Sequence, residues 1–129
     1  MRETVLYYNP KPSKKSDMLK GVLICLGMRI RNISAGQVHQ KVGYLAGLDG
    51  FEAAEPPEPL PVIEEEVMVL QGFTDQRLNE LLYTLKKAQV PRVNLKAVLT
   101  ENNCGWSFYE LYEELKREHE AMEQRKGQQ

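Results

Sequence analysis

The chain has 129 residues, 42% hydrophobic and 27% charged, which fits one domain able to bury a core without disulfide or metal staples. No apolar run approaches the roughly 20 residues of a bilayer-spanning helix. Its two cysteines, Cys25 and Cys104, make neither a disulfide framework nor a zinc site.

The net charge of −1 conceals a division. Residues 1–48 hold eight Lys/Arg against two Asp/Glu, residues 49–66 hold seven acids and no base, and residues 67–129 hold nine of each. The simplest consequence is an acidic segment lying near a basic half and neutralising it. The start, Met1-Arg2-Glu3-Thr4, runs straight into an apolar stretch without a signal-peptide pattern, so a cytoplasmic setting is expected.

Val5 to Tyr8 is β-branched and aromatic and predicts a strand. Pro10 and Pro12 break it, because each removes a backbone donor. Ser16 offers an N-cap for a helix carrying Leu19, Val22, Leu23 and Leu26, and Gly27 is placed to end it. Met28-Arg29-Ile30-Arg31 alternates as a strand with both arginines on one face. Ser34 then caps a predicted helix with Val38, Val42, Leu45 and Ala46. Gly36, Gly43 and Gly47 weaken that helix, and the last two, four apart on one face, either allow close approach of another backbone or mark fraying.

Residues 49–66 read as an acidic, Pro-rich linker, pinned at its end by Leu60, Val62 and Ile63. Val67 to Leu70 predicts a strand buried on both faces. Thr74 caps a helix with Leu78, Leu81, Leu82, Leu85 and Ala88, and Pro91 stops it. Val93, Leu95, Ala97 and Leu99 alternate as a strand. Ser107-x-x-Glu110 is a capping box that opens a final helix along Phe108, Leu111, Tyr112, Leu115 and Met122.

The fold class expected is therefore α/β. Two consecutive β-α-β-α halves, residues 1–48 and 67–129, are joined by the 49–66 linker in one compact domain. They build a small, mostly parallel four-stranded sheet flanked by helices.

In such a sheet ligands lie outside the carboxyl ends of the strands. The loop before the first helix places Lys11, Ser13, Lys14, Lys15 and Ser16 at a helix N-terminus, where free N–H groups and lysine charges favour an anion. It lacks the glycines of a phosphate loop. Asn102, Asn103 and Cys104 precede the last helix and would face it across a shared rim. A thiol at a helix N-terminus gains nucleophilicity only beside a base. His39 and His119 are the only histidines, and no spacing brings either to Cys104. No catalytic pair, metal-ligand spacing or cofactor motif is present. Glu64, Glu65 and Glu66 are contiguous and read as solvated. Nucleic acid is disfavoured, because the acidic segment repels phosphates from any patch built on Arg29, Arg31, Tyr7 and Tyr8.

Val67-Met68-Val69-Leu70-Gln71-Gly72-Phe73, the Leu95-Lys96-Ala97-Val98-Leu99-Thr100 run, Trp106 and Glu110 through His119 resemble a bacterial (Firmicutes-type) domain family of unknown function, number 3783. The likeness covers roughly residues 65–122, and residues 1–48 look like the N-terminal portion of the same proteins. It implies a bacterial cytoplasmic setting and carries over no activity, cofactor or catalytic residue. The functional expectation is a non-enzymatic binding or interaction domain, with regulation as one such role and a homodimer or protein partner compatible with it. The alternative is a small-molecule enzyme or ligand-binding protein using the anion site at the carboxyl ends of the strands. No membrane association is expected.

Overall fold

The computed structural model describes residues 3–127. The chain forms β1 (Thr4–Tyr8), α1 (Lys14–Cys25), β2 (Arg29–Asn32), a 3-10 turn (Ala35–Gln37), α2 (Val42–Leu45), β3 (Val67–Gln71), α3 (Asp75–Lys87), β4 (Leu95–Val98) and α4 (Phe108–Gly127). The four strands make one sheet in the order β2-β1-β3-β4.

The sheet is mixed, which corrects the mostly parallel arrangement expected from the element order. β1 runs parallel to β2 and β3 parallel to β4, but β1 and β3 are antiparallel, with Thr4 opposite Gln71 and Tyr8 opposite Val67. The path between β2 and β3 gives the reason. From the end of β2 the chain crosses one face to reach the loop before α4, where the Val42 and Gly43 amides donate to the Trp106 and Cys104 carbonyls. The Pro-rich segment then returns, so that the Tyr8 hydroxyl donates to the Ile63 carbonyl at 2.6 Å. Two crossings bring the chain back to the end it left, and β3 must then start beside the end of β1.

Alternation along the strands divides the core into two layers. Val5, Tyr7, Met68 and Leu70 pack with Leu19 and Leu23 of α1 and Leu81 of α3. Leu6, Tyr8, Val67, Val69 and Leu95 pack on the other face with Phe108, Leu111 and Tyr112 of α4, together with Val38, Val42, Leu45 and Ile63.

Local chemistry explains most boundaries. The α1 N-cap falls at Ser13, three residues before the expected Ser16. Ser16 takes the matching position in the first turn, and its buried hydroxyl accepts from the Ser13 N–H at 2.9 Å and donates to the Ser13 carbonyl at 2.7 Å. Gly27 ends α1 at φ 74°, in the left-handed region that suits glycine. Thr74 Oγ1 accepts from the Arg77 N–H at 3.1 Å. Ser107 and Glu110 close their reciprocal cap at 2.9 and 3.0 Å.

The predicted helix over 34–46 is not continuous. It splits into the 3-10 turn and the four-residue α2, and His39 lies in the turn between them. Gly43 explains why the segment stays close to its neighbours: a Cβ there would meet the Phe51 ring at 2.6 Å. The ring of the returning segment thus occupies the space glycine leaves. The Gln40 side chain clips the same segment, accepting the Ala54 N–H at 2.7 Å.

Candidate functional site

The antiparallel β1–β3 pair separates the two loops that the sequence reading joined across one rim. The 9–16 loop follows Tyr8, at the end where β3 begins. Residues 102–107 follow β4, at the end where β1 begins. A five-residue strand, about 13 Å, lies between them, so Lys11, Ser13, Lys14, Lys15 and Ser16 share no cleft with Asn102, Asn103 and Cys104.

Each loop also has a structural employment. Lys15 Nζ reaches Glu66 Oε1 at 3.0 Å. Lys11 donates its backbone N–H to Asn9 Oδ1 at 2.9 Å, while Lys14 is exposed. In the other loop, Asn103 Oδ1 accepts the Thr100 N–H and Asn103 Nδ2 donates to the Val98 carbonyl at 3.0 Å. The Cys104 thiol donates to the Glu101 carbonyl at 3.3 Å. Asn102 is exposed.

The structure instead assembles a cluster at the carboxyl end of β1. The Tyr7 hydroxyl donates to Glu66 Oε2 and accepts from Asn9 Nδ2 at 3.1 Å. The Lys20 ammonium lies 5.5 Å from the Tyr7 ring centroid, a cation–π distance. Burial, and then the Glu66 carboxylate, hold the Tyr7 phenol well above its ordinary value. Glu66 is therefore not the solvated carboxylate expected, since its side chain is only 14% exposed. A hollow of about 210 Å³ adjoins the cluster, lined by Tyr7, Asn9, Ser16, Lys20 and Asn32 among others. Tyr7 and Tyr8 are buried core residues and offer no stacking surface.

A second feature is marked by no sequence motif. A groove of about 470 Å³ runs between α3 and β4, lined by Met68, Leu82, Leu85, Lys86, Val90, Arg92, Val93 and Lys96. Strand register explains it. Lys96 pairs with Met68 and Val98 with Leu70, so both point to the α1–α3 face, yet Val98 stays 42% exposed and Leu82 39% exposed. α4 covers β4 on the opposite face. On this face β4 is an edge strand with an apolar strip that no element closes. The sequence did hold a clue: Lys96 and Val98 share one face of a strand whose other face is apolar, as at a sheet margin.

The groove carries one sign of charge. Among the described residues Lys86, Arg92 and Lys96 line it and no carboxylate does. Among the described residues, too, Lys96 Nζ donates only to the Val93 carbonyl, at 3.3 Å. Burial, and then the neighbouring Arg92 charge, hold its ammonium below the usual lysine range.

Among the described residues no group of three or more His, Cys, Asp or Glu side chains is placed to hold a metal ion, and no helix is long and apolar enough to cross a membrane. Residues 66–122 match a family described as a domain of unknown function (DUF3783). Comparison with curated proteins and with solved structures gave no match. Every residue lining the α3–β4 groove falls within the matched segment, whereas the cluster around Tyr7 draws Asn9, Lys15 and Lys20 from outside it.

Proposed function

We propose that this chain, whose residues 66–122 carry a domain of the DUF3783 family, is a non-enzymatic binding domain and that its ligand seats in the groove between α3 and β4. The observation that carries the reading is a concave apolar surface of small-molecule dimensions with a few convergent polar groups of one sign. Its confinement to the matched segment supports a role that belongs to the domain itself. The family resemblance and the two free cysteines support a bacterial cytoplasmic setting. The alternating element order supports two β-α-β-α halves as the plan of the fold.

A second reading places a small-molecule site at the carboxyl end of β1. The hollow beside Tyr7, lined by Lys20 and next to the Glu66 carboxylate that Lys15 holds, favours that reading. A fragment screen followed by amide chemical shifts in an isotope-labelled chain decides between the two. The groove reading expects the perturbed amides to cluster on residues 82–98. Hits concentrated on residues 7–20 and 32–33, with the groove silent, would overturn it.

A further inference from the structure

We propose that the ligand of the α3–β4 groove is a free single-chain amphiphile with a carboxylate head, its alkyl tail lying between α3 and β4 and its head against Lys96 and Arg92. The proposal rests on the groove reading above and names the ligand class.

The floor of the groove is hydrocarbon. Met68, Val90 and Val93 are buried there, and Leu82 and Leu85 form the helix wall. An alkyl chain laid along it replaces water against apolar surface, the dominant favourable term in association. The volume of about 470 Å³ lies within the range of small-ligand sites, roughly 300–1,000 Å³. A peptide helix, about 10–12 Å across with its side chains, would stand out of such a hollow.

An extended peptide meets a different obstacle. The Leu99 N–H donates to Leu70 of β3 at 2.8 Å, so the groups of Val98 face the free edge. The Val98 carbonyl is already held there by Asn103 Nδ2. Lys96 in the middle of a four-residue edge further discourages strand addition.

The head group follows from electrostatics. Arg92 and Lys96 stand close enough to repel, and among the described residues neither forms an ion pair. Lys86 adds a third cation from α3. On the α4 side Glu118, His119 and Glu123 line an adjoining hollow together with Arg92 and Lys96, and the two carboxylates there form no salt bridge with either cation. A carboxylate entering from the groove offers the Lys96 ammonium a charged acceptor and offsets the repulsion from Arg92. A hydroxyl head offers an acceptor without the charge.

The test compares dodecanoate with dodecanol, both below micelle-forming concentrations, by chemical-shift titration of the wild type, Lys96→Met and Arg92→Gln, with circular dichroism to confirm that each variant folds. Dodecanoate is expected to perturb amides of residues 82–98 and to bind about 10-fold or more tighter than dodecanol. Lys96→Met should retain tail binding and lose most of that preference, and Arg92→Gln should reduce it. Equal affinity for the two heads in the wild type overturns the proposal, as does a preference that survives both substitutions. Fragments filling the groove while dodecanoate does not bind would refute the ligand class and leave the groove reading standing. Co-sedimentation with phosphatidylglycerol vesicles without any response to free dodecanoate would assign the surface to membrane lipid and likewise overturn it.

Discussion

Replacing Tyr7 with Phe removes one oxygen from the carboxyl end of β1 and leaves the apolar packing of the ring in place. The side chain is 2% exposed, and its hydroxyl donates to Glu66 while accepting from Asn9. A hydrogen bond to a charged group contributes about 1.5–3 kcal/mol. Glu66 keeps Lys15 at 3.0 Å, and Asn9, half-buried, turns to water, so Tyr7→Phe should destabilise the fold by about 2 kcal/mol. Glu66→Ala strands the buried hydroxyl and breaks the Lys15 bridge. That bridge is a third exposed at the lysine and adds at most about 1 kcal/mol, for a total of about 2–3 kcal/mol. The two changes remove the same contact, so the double variant should fall short of the sum by about 1.5 kcal/mol. Urea unfolding followed by circular dichroism measures all four corners of the cycle, and a chain of this size is suited to two-state treatment. A coupling below about 0.5 kcal/mol would mean that the Tyr7–Glu66 contact is not an energetic tie between β1 and the acidic segment.

Other perturbations test separate parts of the structure. Gly43→Ala places a methyl against the Phe51 ring at 2.6–2.8 Å and should cost about 1–3 kcal/mol; adding Phe51→Leu should restore much of it, measured by the same urea curves. Ser107→Ala removes the acceptor for the Glu110 N–H and should cost about 1 kcal/mol, seen as lost helix stability at the α4 N-terminus in hydrogen exchange. Lys96→Met should raise the melting temperature at neutral pH, because burial and Arg92 disfavour the charged amine. The native lysine releases its proton before the unfolded one does, so wild-type stability climbs as pH rises toward 10.5 and the gap narrows there. At the acid end, Glu3 is held below its ordinary value of 4.5, chiefly by the hydrogen bond from Arg77. Its contribution is present above that pH and is lost as pH falls. At the alkaline end, burial holds Tyr7, Tyr8 and Tyr112 protonated above their ordinary 10.0, so stability should fall beyond about pH 10.

Local pattern alone determined the α/β class, the four strands, the long helices, the stop at Gly27 and the capping box at Ser107. Each depends on backbone propensity, side-chain period or a hydrogen bond within a few residues, and all of these are written in consecutive positions. Gly43 was legible only as a site of either backbone approach or fraying, and it is the Phe51 ring that fills the space there. What the tertiary structure decided was direction and enclosure. Whether β3 enters parallel or antiparallel to β1 depends on how many times residues 33–66 cross the sheet, and no short window of sequence encodes that count. The single rim proposed for the 9–16 and 102–107 loops therefore dissolved. The Tyr7–Glu66–Lys15 cluster joins residues more than fifty positions apart, so no spacing could have announced it. The groove exists because Leu82 and Leu85 of α3 face Lys96 of β4 across it with Met68 and Val93 between them, a matter of helix placement. Its lining residues read in sequence as ordinary core and surface, and only packing shows which of them no other element covers.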